Sequence, residues 1–357
     1  MAGSSPVSLT PMEGVRKEIL RTERLAVNCL RAGSGSEAVL FIHGNGSSAA
    51  FWEETMLALP KDYAGYAVDL RGYGETEAAP VDATLGLDDM VEDVVASADA
   101  LGLESFHLVG HSMGGGVAMK VAIRVPDRLR SLTLVDSMSP FGYSGTKDEK
   151  GTPCYEDGAP AGAGGVNPDF VRLLGEGYTD TEEQMAPRNV LRQFYVKPPF
   201  VPEREDALLA SMLTTRIGED WYPGDTAPSD HWPTVGPGTR GIVNAFSGKY
   251  FDASRIVEIE PKVPILWLRG ADDQIVSDNA MFDIQALGAL GAVPGWPGPE
   301  ECPPQPMIRQ TEYVLSQYEQ KGGSVKRAVI EDAGHSPFIE KPEEFNAAFH
   351  AFLKQTG

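Results

Sequence analysis

Serine is a weak nucleophile unless a base takes its proton and a carboxylate fixes that base. Residues 106–116, FHLVGHSMGGG, present a serine in a pattern suited to that use. An apolar run ends at Gly110-His111-Ser112-Met113-Gly114, and an Ala/Val/Met-rich helical pattern follows. A serine held on a sharp strand-to-helix turn needs small residues two before and two after it, and Gly110 and Gly114 supply them. The helix start also aims unpaired N–H groups and the positive end of its dipole at the place where an oxyanion would form. Met113 N–H is therefore the first candidate oxyanion donor. The second is Asn45 N–H, in the turn His43-Gly44-Asn45-Gly46 that closes the buried run 38–42.

Among the six histidines, His335 alone follows a core strand (325–330) in a short loop late in the chain. His107 lies within the serine's own strand, His111 in the elbow and His350 on the last helix, and all three read as structural. His43 reads as a brace for its turn and His231 as a loop residue. For the carboxylate, Asp272, Asp273 and Asp136 all stand at strand ends. Asp273 is preferred, because Gly270 turns the chain off the strand 263–269 and Ile275 and Val276 return it to packing, leaving Asp272 to face water or cap a helix. Asp136, at the end of the strand 131–135, is the fallback. Asp69 and Arg71, on the turn Asp69-Leu70-Arg71-Gly72-Tyr73-Gly74, read as a structural salt link.

These residues need a scaffold. Two short strands near 18–22 and 25–31 form a hairpin, and strand and helix patterns then alternate from 38 to 136, which predicts a mostly parallel sheet with helices on both faces. In such sheets a site lies at the carboxyl ends of the strands, where His43, Ser112 and Asp136 fall. The alternation breaks at 137–259, a Gly/Pro-rich stretch with helical segments near 169–175, 182–195 and 205–217. This stretch reads as a helical lid over a core of 1–136 and 260–357. Its aromatics (Phe141, Tyr155, Phe170, Phe194, Tyr195, Trp221, Trp232) are candidates for an apolar pocket, most of them expected to be ordinary packing. A second Gly/Pro-rich insertion, 288–306, precedes the helix 308–318.

At 357 residues, 42% hydrophobic, the chain can bury a large core. No apolar run is long enough to span a bilayer, and the first fifteen residues carry no apolar secretory segment. Cys29, Cys154 and Cys302 are too few and too scattered for a disulfide framework or a four-cysteine metal site, which fits a cytoplasmic protein. A net charge of −21 argues against nucleic-acid or membrane partners.

The order Ser112, Asp273, His335, with His43-Gly44-Asn45-Gly46, Asp69-x-Arg71-Gly72-x-Gly74, Gly110-x-Ser112-x-Gly114, Gly270-x-x-Asp273 and Gly334-His335, resembles the α/β-hydrolase fold family, in its esterase/lactonase, C–C hydrolase and perhydrolase-like group. The resemblance covers the sheet segments, 38–136 and 263–355. It implies a catalytic triad of Ser112, Asp273 and His335 and an oxyanion hole from the N–H groups of Asn45 and Met113. It also implies no cofactor, no metal and a small-molecule substrate. A serine at 112, where relatives that open epoxides or displace halide carry aspartate, argues against those reactions. The expected activity is hydrolysis of a carboxylic ester or lactone with an apolar part. The rivals are C–C or amide hydrolysis with the same triad, and a non-catalytic ligand receptor on the same fold.

Overall fold

A computed structural model describes residues 9–357. The reading of the first fifteen residues rests in part on residues 1–8, which lie outside the described residues. Eight strands form the main sheet: β1 (Arg16–Arg21), β2 (Ala26–Gly33), β3 (Glu37–Ile42), β4 (Tyr63–Val68), β5 (Phe106–His111), β6 (Leu129–Val135), then β9 (Ile265–Gly270) and β10 (Val325–Ile330). Between β6 and β9 lies only a small antiparallel pair, β7 (Thr226–Pro228) and β8 (Val235–Pro237), which does not join that sheet. The spatial order is β1-β2-β4-β3-β5-β6-β9-β10, with β2 antiparallel to both its neighbours, β1 and β4, and every other pair parallel.

Burial explains the arrangement. All six residues of β4 and of β5 are buried, as strands covered on both faces require. The edge strand β10 is mostly accessible and carries Lys326 and Arg327, charges that discourage pairing with another chain. Helices Asp88–Ala100 and Met113–Arg124 pack against one another, and Pro342–Thr356 buries Phe345, Phe349, Phe352 and Leu353. β5 is central, so the turn after it opens at the middle of the sheet's carboxyl edge.

The stretch after β6 is less helical than its sequence pattern predicts. Helices cover Pro168–Glu176, Pro187–Val190 and Glu205–Met212, and Leu191–Tyr195 continues the second as a π-helical turn. Residues 182–185, expected to be helical, are turn or bend, because the chain first meets a helix-starting proline at Pro187. No helix among the described residues is long and apolar enough to cross a membrane.

Candidate active site

Ser112 takes φ 55° and ψ −122°, a left-handed conformation that a non-glycine residue adopts only when its surroundings impose it. Those surroundings are backbone. Ser112 N–H donates to Val135 C=O (3.0 Å), and Ser112 C=O accepts from Met138 N–H (3.1 Å) and Gly115 N–H (2.9 Å). A Cβ on Gly110 would lie 2.3 Å from Gly114 C=O, and one on Gly114 would lie 2.3 Å from His43 C=O, so both flanking glycines are sterically required. Gly44 answers the same constraint from the neighbouring turn, where a Cβ would sit 2.9 Å from Ser112 Cβ.

The imidazole of His335 is buried, and its Nδ1 donates to Asp273 Oδ2 at 2.8 Å. The other carboxylate oxygen of Asp273 accepts from Ile275 N–H (2.7 Å) and Val276 N–H (3.1 Å). This side chain is fixed by its own loop, and those two residues do return the chain to packing. Asp272, one residue away, turns outward to Lys197 Nζ (2.8 Å).

Asp136 is not the partner of His335 Nδ1. Its Oδ1 accepts from Gly270 N–H (2.9 Å), and its carboxyl lies behind Asp273. Burial first, and then the Asp273 side chain beside it, raise its pKa well above the ordinary carboxyl range. Asp136, Asp273 and His335 offer ligand atoms within 4.8 Å of one another, the spacing of a metal site. Asp273 already gives one oxygen to the imidazole and the other to two backbone N–H groups, which leaves it poorly suited to bind a cation.

His335 is tied to the serine's elbow by its neighbour. His111, the residue before Ser112, directs Nε2 at the His335 carbonyl (2.7 Å), and a carbonyl partner requires that nitrogen to carry the proton. Burial, reinforced by the facing His335 ring 4.6 Å away, pushes the His111 pKa well below its usual value and keeps it neutral. Ser112 Oγ itself makes no side-chain hydrogen bond to the described residues. The structure thus joins Asp273 to His335 directly, and joins His335 to the Ser112 elbow through His111.

His43 has both ring nitrogens committed. Nδ1–H donates to Gly44 C=O (2.7 Å), and Nε2 accepts from Leu70 N–H (3.0 Å). Burial lowers its pKa to about 4. It braces the turn and has no nitrogen free to act as a base. The same burial lowers His107 to about 4, and its Nδ1 meets Ser131 Oγ (2.8 Å). Asp69 and Arg71 do not pair with each other. Asp69 accepts from Ala49 N–H, Glu75 N–H and Asn28 Nδ2, while Arg71 forks onto Asp93 (2.6 and 2.9 Å), because three nearby N–H donors already satisfy the buried carboxylate.

The candidate oxyanion donors, Asn45 N–H and Met113 N–H, have no acceptor among the described residues, and both residues line a chamber of about 510 Å³ that reaches Ser112. Asn45 is held by tyrosines. Tyr73 OH donates to its Oδ1 (2.6 Å), and Tyr195 OH, from the π-helical turn, donates to its carbonyl (2.7 Å). Two residues past Tyr195, Lys197 N–H donates to Glu340 (2.7 Å), whose other oxygen accepts from Gly334 N–H (2.8 Å) in the His335 loop. One short segment of the insertion therefore grips both the Asn45 turn and the His335 loop. Sequence reasoning named Tyr195 only as a pocket aromatic and missed Tyr73 and Glu340, whose partners are remote in sequence.

Of the seven aromatics proposed for a pocket, Phe170, Phe194 and Tyr195 line the chamber. The others do not: Tyr155, for example, stacks on His231 (4.1 Å), and Trp221 donates to Ala79 C=O (2.9 Å). The second insertion reaches the chamber through Ala292. A buried polar network missed in the sequence pins the two insertions together. Asp283 takes Ser144 Oγ and Gln305 N–H (2.9 Å), and Gln285 takes Gly145 N–H (2.5 Å).

Residues 37–157 match the family model described as the α/β-hydrolase fold. Over 160 residues the chain is 33% identical to N-formylmaleamate deformylase of Pseudomonas putida, an alignment covering 44% of this chain and 58% of that one. It is 39% identical over 102 residues to 2-hydroxymuconate semialdehyde hydrolase of a Pseudomonas species, covering 28% and 36%. These stretches span less than two thirds of the relatives' own lengths. A thermophilic esterase from Thermogutta terrifontis superposes with a TM-score of 0.57 over 96% of this chain and 99% of that one, at 20% identity, a likeness of fold.

Proposed function

We propose that this chain, whose fold is that of the α/β-hydrolases, is a serine hydrolase that cleaves a carboxylic ester or lactone through an acyl-enzyme, with Ser112, His335 and Asp273 as its triad. One observation carries the reading. Asp273 takes His335 Nδ1 at 2.8 Å, which leaves Nε2 as the nitrogen for a nucleophile, on a loop that His111 ties to the strained serine lining the chamber. In the forward step Ser112 Oγ bonds to the substrate carbonyl carbon while its proton passes to His335 Nε2. The carbonyl electron pair moves onto oxygen, where the N–H groups of Asn45 and Met113 receive it. Collapse expels the alkoxide, which takes the proton back from His335. Water then attacks the acyl-enzyme by the same route, releasing the carboxylic acid and restoring Ser112.

His335 must be neutral to accept the proton, so turnover falls as the solution is made acidic. The test is covalent: a fluorophosphonate should add its phosphonyl mass to Ser112 of the folded protein, and Ser112→Ala should stay unlabelled. A folded wild-type chain that resists the probe sinks the proposal. The named activities of the relatives favour a second reading, amide or C–C cleavage with the same three residues, and a panel of esters, lactones, amides and β-diketones separates the two.

A further inference from the structure

The chamber in front of Ser112 is unlike the rest of this molecule. The chain is 23% charged, so about a quarter of any average lining would carry charge, yet no Asp, Glu, Lys, Arg or His lines this one. Besides Ser112 and Tyr222, the hydroxyls of the lining are already committed to the protein. Tyr143 donates to Ile275 C=O (2.6 Å), Tyr195 to Asn45 C=O (2.7 Å), and Ser144 to Asp283. The side-chain amides of the lining beyond Asn45, those of Asn167 and Gln184, sit on exposed residues, which marks that end as the mouth, together with exposed Ala292. Between mouth and serine the wall is mostly apolar, and Met113, Met138, Met281, Phe170, Phe246 and Phe282 are part of it. Unbranched thioethers beside aromatic rings adapt their shape to a bulky ligand.

Two physical consequences follow. A charged group carried into this chamber along the apolar wall, away from the Asn45 and Met113 N–H groups, loses its water and finds no charged partner, a cost that disfavours its binding. A volume of about 510 Å³ falls in the range that holds ligands far larger than an acetyl group, so a short acyl chain leaves most of the wall unused.

We infer that the substrate class is the uncharged ester or lactone with a bulky apolar portion, and that esters bearing a carboxylate or an ammonium on that portion are excluded. The inference rests on the serine-hydrolase reading for the reaction, but not for the binding. The chemistry that supplies such a substrate is one that joins an apolar acid to an alcohol or closes a hydroxy acid into a lactone, and the product leaves as a free acid.

The experiment uses 4-nitrophenyl acetate, butyrate and hexanoate, together with the hexanoate tipped by a terminal carboxylate or ammonium. kcat/KM should rise about fourfold per methylene along the neutral series. It should fall at least about a hundredfold when either charge is added. A flat neutral series, or a charged ester processed within about tenfold of the neutral one, overturns the inference. In parallel, calorimetry on Ser112→Ala measures binding of the matching anilides. The neutral hexananilide should bind at least about a hundredfold more tightly than its carboxylate-tipped analogue, whereas equal affinities, or no binding of either, overturn the inference. Selective binding without turnover or phosphonate labelling would instead remove the hydrolase reading and leave the ligand class standing.

Discussion

Ser112 separates two regions of opposite character. Behind it, Asp136, Asp273, His335, His111 and Glu340 crowd together, each buried and most bound to a named partner. In front of it lies a chamber with no such group in its wall. Both surroundings lower the local dielectric, but to different effect. Behind the serine, low dielectric strengthens hydrogen bonds that orient one imidazole. In front, it penalises any charge that arrives without a partner. Polar residues are therefore tolerated here where the backbone and each other satisfy them, and are replaced by apolar ones where a ligand must satisfy them.

The largest expected effects come from dismantling the rear region. Ser112→Ala should lower kcat on the order of a millionfold, and Asp273→Asn by roughly ten-thousandfold, because the amide stabilises the wrong tautomer. Stopped assays on folded variants measure both. If Asp136→Asn were the more damaging of the two aspartate changes, the partnership of Asp273 with His335 would be the wrong one to credit.

Next in size is a pH effect on stability. His43 and His107 have pKa values near 4 in the folded chain, against about 6.5 when unfolded, and His111 is displaced in the same direction. The unfolded chain therefore binds more protons below pH 6.5. Stability is intact above that point and is lost as pH falls toward 4, by about 3 kcal/mol for each fully buried histidine. Urea unfolding at pH 7 and pH 4.5 should show the loss, and His107→Gln should reduce it. An unchanged midpoint would contradict the burial assigned to these rings.

The forward region can be made to resemble the rear one. Ala292→Arg places a cation at the exposed mouth and should raise kcat/KM for a carboxylate-tipped ester by about tenfold, the worth of one charge-assisted hydrogen bond, while leaving the neutral ester nearly unchanged. Smallest is Tyr195→Phe. It removes one hydroxyl from the Asn45 carbonyl and should cost about 1 kcal/mol in stability and a severalfold loss in kcat, with KM for neutral esters little moved. A loss confined to KM would assign Tyr195 to substrate contact instead of to the Asn45 turn.

Much of the rear region was legible in the sequence because Ser112, Asp273 and His335 announce themselves locally, whereas Glu340, held by Lys197 N–H, does not. The glycines around Ser112 are there to let backbones approach within van der Waals limits, and such needs leave a fixed spacing. Asp273 likewise sits in a loop whose own N–H groups hold it. Even there the sequence left three aspartates open, and it paired Asp69 with Arg71, because charge and proximity in sequence do not say which donors a carboxylate will meet.

Residue types and spacing by themselves determined the parallel sheet, the serine elbow and the late histidine, since each rests on sterics or burial within a few residues. Only the tertiary structure decided that Asp273 rather than Asp136 faces the imidazole, that Tyr195 and Lys197 grip two turns of the core, and that the chamber carries no charge. Those outcomes depend on residues remote in sequence meeting in space, Tyr195 and Asn45 among them at 150 positions apart. What they exclude is set by the absence of a partner, which no local pattern records.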